Sequence, residues 1–452
     1  MLGRTTEIAA RGALLALGAA ALFAAPALAV KVVDGPIVLH ANICQHWGGH
    51  TFSYAVQGEH YMFWTATLNK GIEQPSQDGF KKRYPTLVVG QYPLPGTDGV
   101  PVVHTFTVDD PDLYYVDEPL LFRTPDGYLH MIVGSYHTTD DPSYWPGTIR
   151  YYRSARPEDV TEWVDRTEML PLVEPYNRFH IRMNVGISPD GERAVIAILA
   201  VSKGGAPVPW NTPLVFIGQR DGLDFRFAPP VKYHEPMGFF YPQVAALPGG
   251  IVLVGEVWDV AEHATGRLVH LDWEGKILHE EDLPSDPGPG FYASFDMRPA
   301  EPGQWDRLAI YHRMAPKEGP WRHQFLTYDL TSRKLETVRE IPVEEGLSNY
   351  GKWTYVSPGK SVFLNNPQQG RFWAWEGDIL GGGEVQRHPL DYTDVVKLGY
   401  LNSGVSLVPN PLTGSVVLPD EVYLLTDASN PGKVPEDRGP TSFLMWRIVL
   451  DE

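Results

Sequence analysis

From about residue 50 onward the chain repeats one pattern of polar and apolar positions. A polar or tyrosine opening leads into a β-rich run, a turn with Gly or Pro follows, and a second β-rich run completes the unit. DEPLLFRTPDGYLHMIVGSYH from Asp117, RMNVGISPDGERAVIAILA from Arg182 and YPQVAALPGGIVLVGEVWD from Tyr241 are the clearest copies. Others begin at His50, Tyr292, Tyr350 and Asn402, so successive starts lie 51 to 67 residues apart. Each interval has room for four strands of about 5–6 residues plus turns. Pro125-Asp126-Gly127, Pro189-Asp190-Gly191, Pro248-Gly249-Gly250 and Pro358-Gly359 occupy equivalent places. Each reads as a hairpin turn, since Pro presets φ and Gly takes positive φ. Seven copies at this spacing predict an all-β chain folded as a seven-bladed β-propeller rather than a solenoid. No linker-like break divides residues 30–452, which predicts one domain. Asn69 to Arg83 reads as a surface loop over one face.

Composition agrees with many short strands. The 452 residues include 44 Gly and 41 Pro, with 12% aromatics, 43% hydrophobic and 20% charged residues. The net charge of −18 makes the chain a poor wrapper of nucleic acid or of anionic lipid. The single cysteine, Cys44, excludes an internal disulfide and a Cys-rich metal knuckle, and reads as a small apolar residue. Residues 1–29 carry the marks of a signal peptide. Arg4 and Arg11 precede the apolar run Gly12 to Ala25, and Ala27-Leu28-Ala29 is a cleavage site that starts the mature chain at Val30. The expectation is a periplasmic or secreted bacterial protein with no membrane anchor, since no later segment has 18 consecutive apolar residues.

A family resemblance rests on the second and third units. Val116-Asp117-Glu118-Pro119 leads into Pro125-Asp126-Gly127 and Gly134-Ser135-Tyr136-His137. Tyr151-Tyr152-Arg153-Ser154, Pro157-Glu158-Asp159-Val160 and Trp163 follow, then a degenerate Asp-box, Arg220 to Phe225. This segment resembles the secreted BNR-repeat β-propellers that include the ulvan lyases. The match is good over about 50 residues and elsewhere is only repeat rhythm. The resemblance implies a polysaccharide lyase with two histidines about one hairpin apart. His137 matches the second, whereas the first falls on Val116, which takes no proton and would leave an apolar gap.

In a propeller the innermost strands begin at one mouth of the central channel, so the unit starts are the natural site candidates. They give His50, Asp117 and Glu118, Arg182 and Asn184, Tyr241 and Gln243, Tyr292 and Ser294, Tyr350 and Lys352, and Asn402 and Ser403. His137 and His312-Arg313 end their units. Expected catalytic residues are His137, Tyr241, Arg182 and His312. Expected substrate contacts are His50, Asp117, Glu118, Asn184, Gln243, Arg313 and Lys352. Each has a plainer alternative: a capped surface histidine, an ion pair for Arg182, aromatic packing for Tyr241. Glu256 and Asp259 join Asp117 and Glu118 as possible carboxylate pairs, although channel carboxylates also hold structural cations such as calcium.

Uronate β-elimination needs a cation on the C5 carboxylate, a base for the C5 proton and an acid for the leaving oxygen. Arg182 or Arg313 suits the first role, and His137 or a tyrosine the others. A polysaccharide lyase acting as a monomer, with no required cofactor, is therefore the leading expectation. A glycoside hydrolase and a non-catalytic propeller binding glycan or protein stay open. Val116 favours the last over the first, the Arg-Ile-Pro motif of sialidases is missing, and no H-E-x-x-H, P-loop or G-x-S-x-G occurs.

Overall fold

The computed structural model describes residues 30–43, 54–68, 86–110, 112–137, 146–171, 176–177, 179–200, 212–233, 238–258, 264–284, 295–314, 322–342, 350–357, 360–366, 373–381, 383–389, 400–418, 421–429 and 441–450. They form seven antiparallel sheets of four or five strands. In six sheets the strands are consecutive in sequence. The innermost strands of blades one to seven are Tyr54–Gln57, Leu113–Arg123, Phe179–Ile187, Gly238–Leu247, Phe295–Pro299, Tyr350–Ser357 and Tyr400–Val408. Each touches the next in order, and the seventh returns to the first. The chain is a closed seven-bladed β-propeller, as the repeat predicts. Its first strand, Val30–Ile43, is the outermost strand of blade seven and runs antiparallel to the last, Thr441–Leu450. The signal-peptide segment, Cys44 and the Asn69 to Arg83 loop lie outside the described residues.

Middle strands such as RAVIAILA and GIVLVGEVW read as near-continuous apolar runs because both their faces are covered by neighbouring blades. The core accordingly lies between blades. Phe63 and Val89 of blade one pack with Leu121 and Met131 of blade two. Phe122 and Tyr151 of blade two meet Ile196 and Phe216 of blade three, and Trp353 of blade six fills the joint with Tyr311 and Phe325 of blade five. Burying one such side chain contributes about 1.5–3 kcal/mol.

The two ends of the channel differ. Where the inner strands leave, the connections are tight. The Pro-Asp-Gly turns are closed by Gly127 N–H to the Thr124 carbonyl at 2.8 Å and Gly191 N–H to the Ser188 carbonyl at 2.8 Å. Their glycines take φ of +88° and +74°, as those turns require. One exit connection is longer and crosses the end of the channel. After Val408 the chain makes a buried single turn, Pro411–Thr413, that reaches the inner strands of blades two to five. Val416 N–H donates to the Gln57 carbonyl at 2.8 Å in blade one. Thr354 of blade six donates through its hydroxyl to the Pro409 carbonyl at 3.0 Å. This segment plugs the exit end, and the sequence reading does not foresee it. Among the described residues the channel itself is therefore left open at the entry end, where the inner strands begin.

Among the described residues, four histidines are buried in the blades. His130 Nδ1 meets the Tyr151 hydroxyl at 2.8 Å, His270 Nδ1 the Tyr328 hydroxyl at 3.0 Å and His323 Nδ1 the Tyr311 hydroxyl at 2.9 Å. His312 stacks on Phe295 with ring centroids 4.9 Å apart. Burial, helped by the Arg313 charge, holds His312 and His323 down at about 3.

Two predictions follow from this packing. A Cβ on Gly414, which has φ of +82°, would overlap the Arg123 carbonyl, whereas Gly222 has φ of +65° and open space around it. Gly414→Ala is expected to lower the urea unfolding free energy by more than about 2 kcal/mol, against about 1 kcal/mol for Gly222→Ala. Equal losses would show that the plug does not bear on stability. The second concerns acid. The folded state keeps His312 and His323 neutral, while the unfolded chain takes up their protons near pH 6.5, so their stabilisation is complete above that value and is lost as pH falls toward about 3. The melting temperature should fall between pH 6.5 and 4.5, above the carboxylate range. His323→Gln, which keeps a partner for Tyr311, should show a smaller fall, and an unchanged slope would overturn the assignment.

Candidate functional site at the open mouth

Four of the seven inner strands share an irregularity, while that of blade six, between Tyr355 and Ser357, lies toward the other end. In blade two, Asp117 pairs with Gly134 and Leu120 with Ile132, leaving one extra residue around Glu118-Pro119. In blade three, His180 pairs with Leu199 and Met183 with Ile198, leaving two extra at Ile181-Arg182. In blade four, Phe240 pairs with Glu256 and Gln243 with Val254, with the extra residue around Tyr241-Pro242. In blade seven, Leu401 pairs with Ala428 and Val405 with Thr426, which sets Asn402 to Gly404 out of register. Each bulge lies at the middle of its strand or nearer the open end. The two prolines explain two of them locally, since proline cannot donate to a ladder and is tolerated at a bulge. Bulges re-aim side chains and gather next to functional sites. Glu118, Arg182, Tyr241, Asn402 and Ser403 thus sit in these breaks, with Asp117 beside the first.

His137 ends the second strand of blade two at the same mouth, opposite Leu113. Lys352 lies on the inner strand of blade six, in register with Leu364. His50, Tyr292, Ser294 and Asp259 lie outside the described residues.

Asn184 and Gln243, next to two of the breaks, are brought together. Asn184 Oδ1 accepts from Val244 N–H at 3.0 Å, and its Nδ2 donates to Gln243 Oε1 at 3.4 Å. Gln243 Nε2 donates to the Pro242 carbonyl at 3.4 Å. Expected as substrate contacts, both amides also tie blades three and four at the bulges.

Other expectations need correction or relocation. Val116 leaves no apolar gap: it is 1% exposed and packs with Val56, Phe63 and Leu121 between blades one and two. Its alternation along the strand turns it into the core. His312 and Arg313 are each 3% exposed within blade five, and Glu256 is 1% exposed in blade four. A neutral imidazole stacked on Phe295 is poorly suited to exchange protons with a ligand at the mouth. Arg182 is therefore the better of the two expected carboxylate partners.

Sequence reasoning misses Asp296 and Arg298. Their side chains pair at 2.6 Å, each 4% exposed, on the inner strand of blade five. Asp296 Oδ2 accepts from Trp353 N–H of blade six at 3.4 Å, and Arg298 donates to the Leu407 carbonyl of blade seven at 3.2 Å. The Asp-x-Arg spacing on a strand, which sends both side chains to one face, is the signal that could have found them.

Apart from Asp117, Glu118 and His137, the motif residues behind the resemblance serve the closed end. Asp126 pairs with Arg220 at 2.6 Å, and Arg153 and Arg166 both pair with Asp224, at 2.7 and 3.0 Å, joining blades two and three. Glu158 takes a positive φ of 49°. In return it accepts from Glu59 N–H at 2.7 Å and His60 N–H at 3.3 Å and pairs with the buried Arg123 at 3.2 Å, which joins blades one and two. Tyr151 takes the Phe225 N–H at 3.1 Å. These turn and tie residues join neighbouring blades at the end away from the mouth. Among the described residues no group of three His, Cys, Asp or Glu side chains could hold a metal ion, and no helix is long and apolar enough to cross a membrane.

No protein-family model matches the chain, and no curated protein does. Solved structures do. A protein of unknown function from Dyadobacter fermentans is 11% identical with a TM-score of 0.49, covering 93% of this chain and 99% of its own. A Hadza microbial sialidase is 13% identical with a TM-score of 0.42, covering 76% and 66%. An α-L-arabinanase from Penicillium chrysogenum, solved with arabinobiose, is 11% identical with a TM-score of 0.41, covering 72% and 92%. With TM-scores under 0.5 these likenesses say nothing of this chain's activity.

Proposed function

We propose that the protein is a secreted carbohydrate-active propeller that takes a uronate-containing polysaccharide at the open mouth, across blades two to four, and cleaves it by β-elimination. The observation that carries this reading is the coincidence of three register breaks on adjacent inner strands with a carboxylate, a guanidinium and a phenol: Glu118, Arg182 and Tyr241. In the reaction a base removes the C5 proton, the electron pair forms the C4–C5 double bond, and the C4–O4 bond breaks as an acid protonates the leaving oxygen. Arg182 neutralises the C5 carboxylate, which a planar guanidinium can grip at two oxygens. His137 takes the proton, imidazole being a usable base near neutral pH, and Tyr241 gives one. The chain's own charge of −18 works against an acidic polymer, but screening over about 8 Å at physiological salt leaves the local cation in control.

A second reading, glycan binding without cleavage, is favoured by the core position of Val116, which leaves the lyase family's first histidine without a counterpart there. One experiment separates the two. The mature chain is incubated with a panel of uronate polymers, and the 4,5-unsaturated product is followed by ultraviolet absorbance and reducing ends. Cleavage is expected, with Arg182→Ala, His137→Ala and Tyr241→Phe each lowering kcat/KM by about 10²–10⁴. Full activity in all three variants would overturn the residue roles. Retention of a polymer on a binding gel with no product would establish the second reading instead.

A further inference from the structure

A cleft of about 140 Å³ opens on the closed face, between blades five and six. It is on the opposite side of the plug from the mouth, and the reading above makes no use of it. We infer that this cleft binds one neutral sugar residue. Arg307 and Glu301 of blade five and Lys360 and Asp378 of blade six line it, with Pro302 and Leu380 as its apolar floor.

The lining charges cancel, two cations against two carboxylates, so the cleft suits neither a strong anion nor a cation. What it offers is donors and acceptors side by side, which match sugar hydroxyls that donate and accept at once. The acceptors are held in place by their own turns. Asp378 Oδ1 takes the Gly381 N–H at 2.7 Å, and Glu301 Oε2 takes the Gln304 amide at 2.7 Å. Each carboxylate has a second oxygen for a ligand. Arg307 donates to the Thr327 hydroxyl at 2.9 Å and, with five N–H groups, has others to give. Ser361 stiffens the blade-six rim by donating to the Gly377 carbonyl at 2.9 Å and accepting from Ile379 N–H at 3.3 Å. A preformed rim reduces the ordering cost of binding. The apolar floor suits the C–H face of a ring. The volume is below the roughly 300–1,000 Å³ of drug-sized sites, which limits the occupant to about one ring. Against two cations and two carboxylates a uronate's charge gains nothing net while still being desolvated, so neutral sugars are preferred.

The test is a saturation-transfer NMR titration of the full chain with glucose, galactose, arabinose and glucuronate. At least one neutral sugar is expected to bind, and more tightly than glucuronate. Asp378→Asn, which keeps the acceptor for Gly381, and Lys360→Met should each weaken binding about tenfold, the effect of one hydrogen bond to a charged group. Arg182→Ala, at the other end of the channel, should leave it unchanged. The inference is overturned if no neutral sugar binds, if glucuronate binds best, or if both cleft variants melt and bind like the parent. Loss of sugar binding in Arg182→Ala would assign the sugar to the mouth and equally overturn it. None of these outcomes depends on whether the mouth cleaves a polymer.

Discussion

Ring closure is the constraint on which the rest depends. Each middle strand is apolar on both faces, so every blade needs two neighbours, and an open ring would expose two such faces at once. The antiparallel ladder between Val30–Ile43 and Thr441–Leu450 completes blade seven with the strand that begins at Val30. Blade seven then presents Phe443 and Met445 to Trp64 and Val88 of blade one. The Trp64 and Phe443 rings meet edge to face at 5.5 Å, an arrangement aromatic pairs prefer. Apolar burial at about 25 cal/mol per Å² is thereby recovered at the joint between the chain's two ends.

Closure also sets the division of labour between the two ends. Polar investment at the exit end goes into ties between blades: Arg123 with Glu158, Arg220 with Asp126, Arg153 with Asp224. The Pro411–Thr413 turn closes the channel there, with Leu412 packed among residues of blades four and five. Such ties are worth most where they are shielded from water, and Arg123 and Arg153 are indeed buried. At the entry end the ladders loosen instead. The bulges in blades two, three, four and seven give up regular pairing near the residues whose side chains carry chemical variety, and the amides of Asn184 and Gln243 brace two of them. A rigid closed end supporting an irregular open end is how a repeat architecture positions a site without a dedicated domain.

The family resemblance illustrates how motif and function separate. Pro125-Asp126-Gly127, Arg153-Ser154 and Pro157-Glu158-Asp159 look like a signature of activity when read in line. In space they are turn and tie residues of the closed end. Residues of this kind report how blades are joined, and function has to be argued from the site instead.

The number of blades, the hairpin turns and the strand starts were legible in the sequence, because each follows from local alternation and from residues such as Gly127 and Gly191 that only certain turns demand. Glu118, Arg182 and Tyr241 were legible as polar interruptions of apolar runs. Their common placement in register breaks was not, since a bulge is defined by the pairing partner and not by the strand itself. The burial of Val116 and His312 is not legible for a related reason: which face of a strand is buried depends on the neighbouring blade. The plug around Pro411–Thr413 and the Asp296–Arg298 tie join residues far apart in the chain, 55 positions for Thr354 and Pro409 and 109 for Arg298 and Leu407. Local pattern determines the elements and their order. Contacts of that range exist only once the ring has closed, and they decided which end of the channel is open.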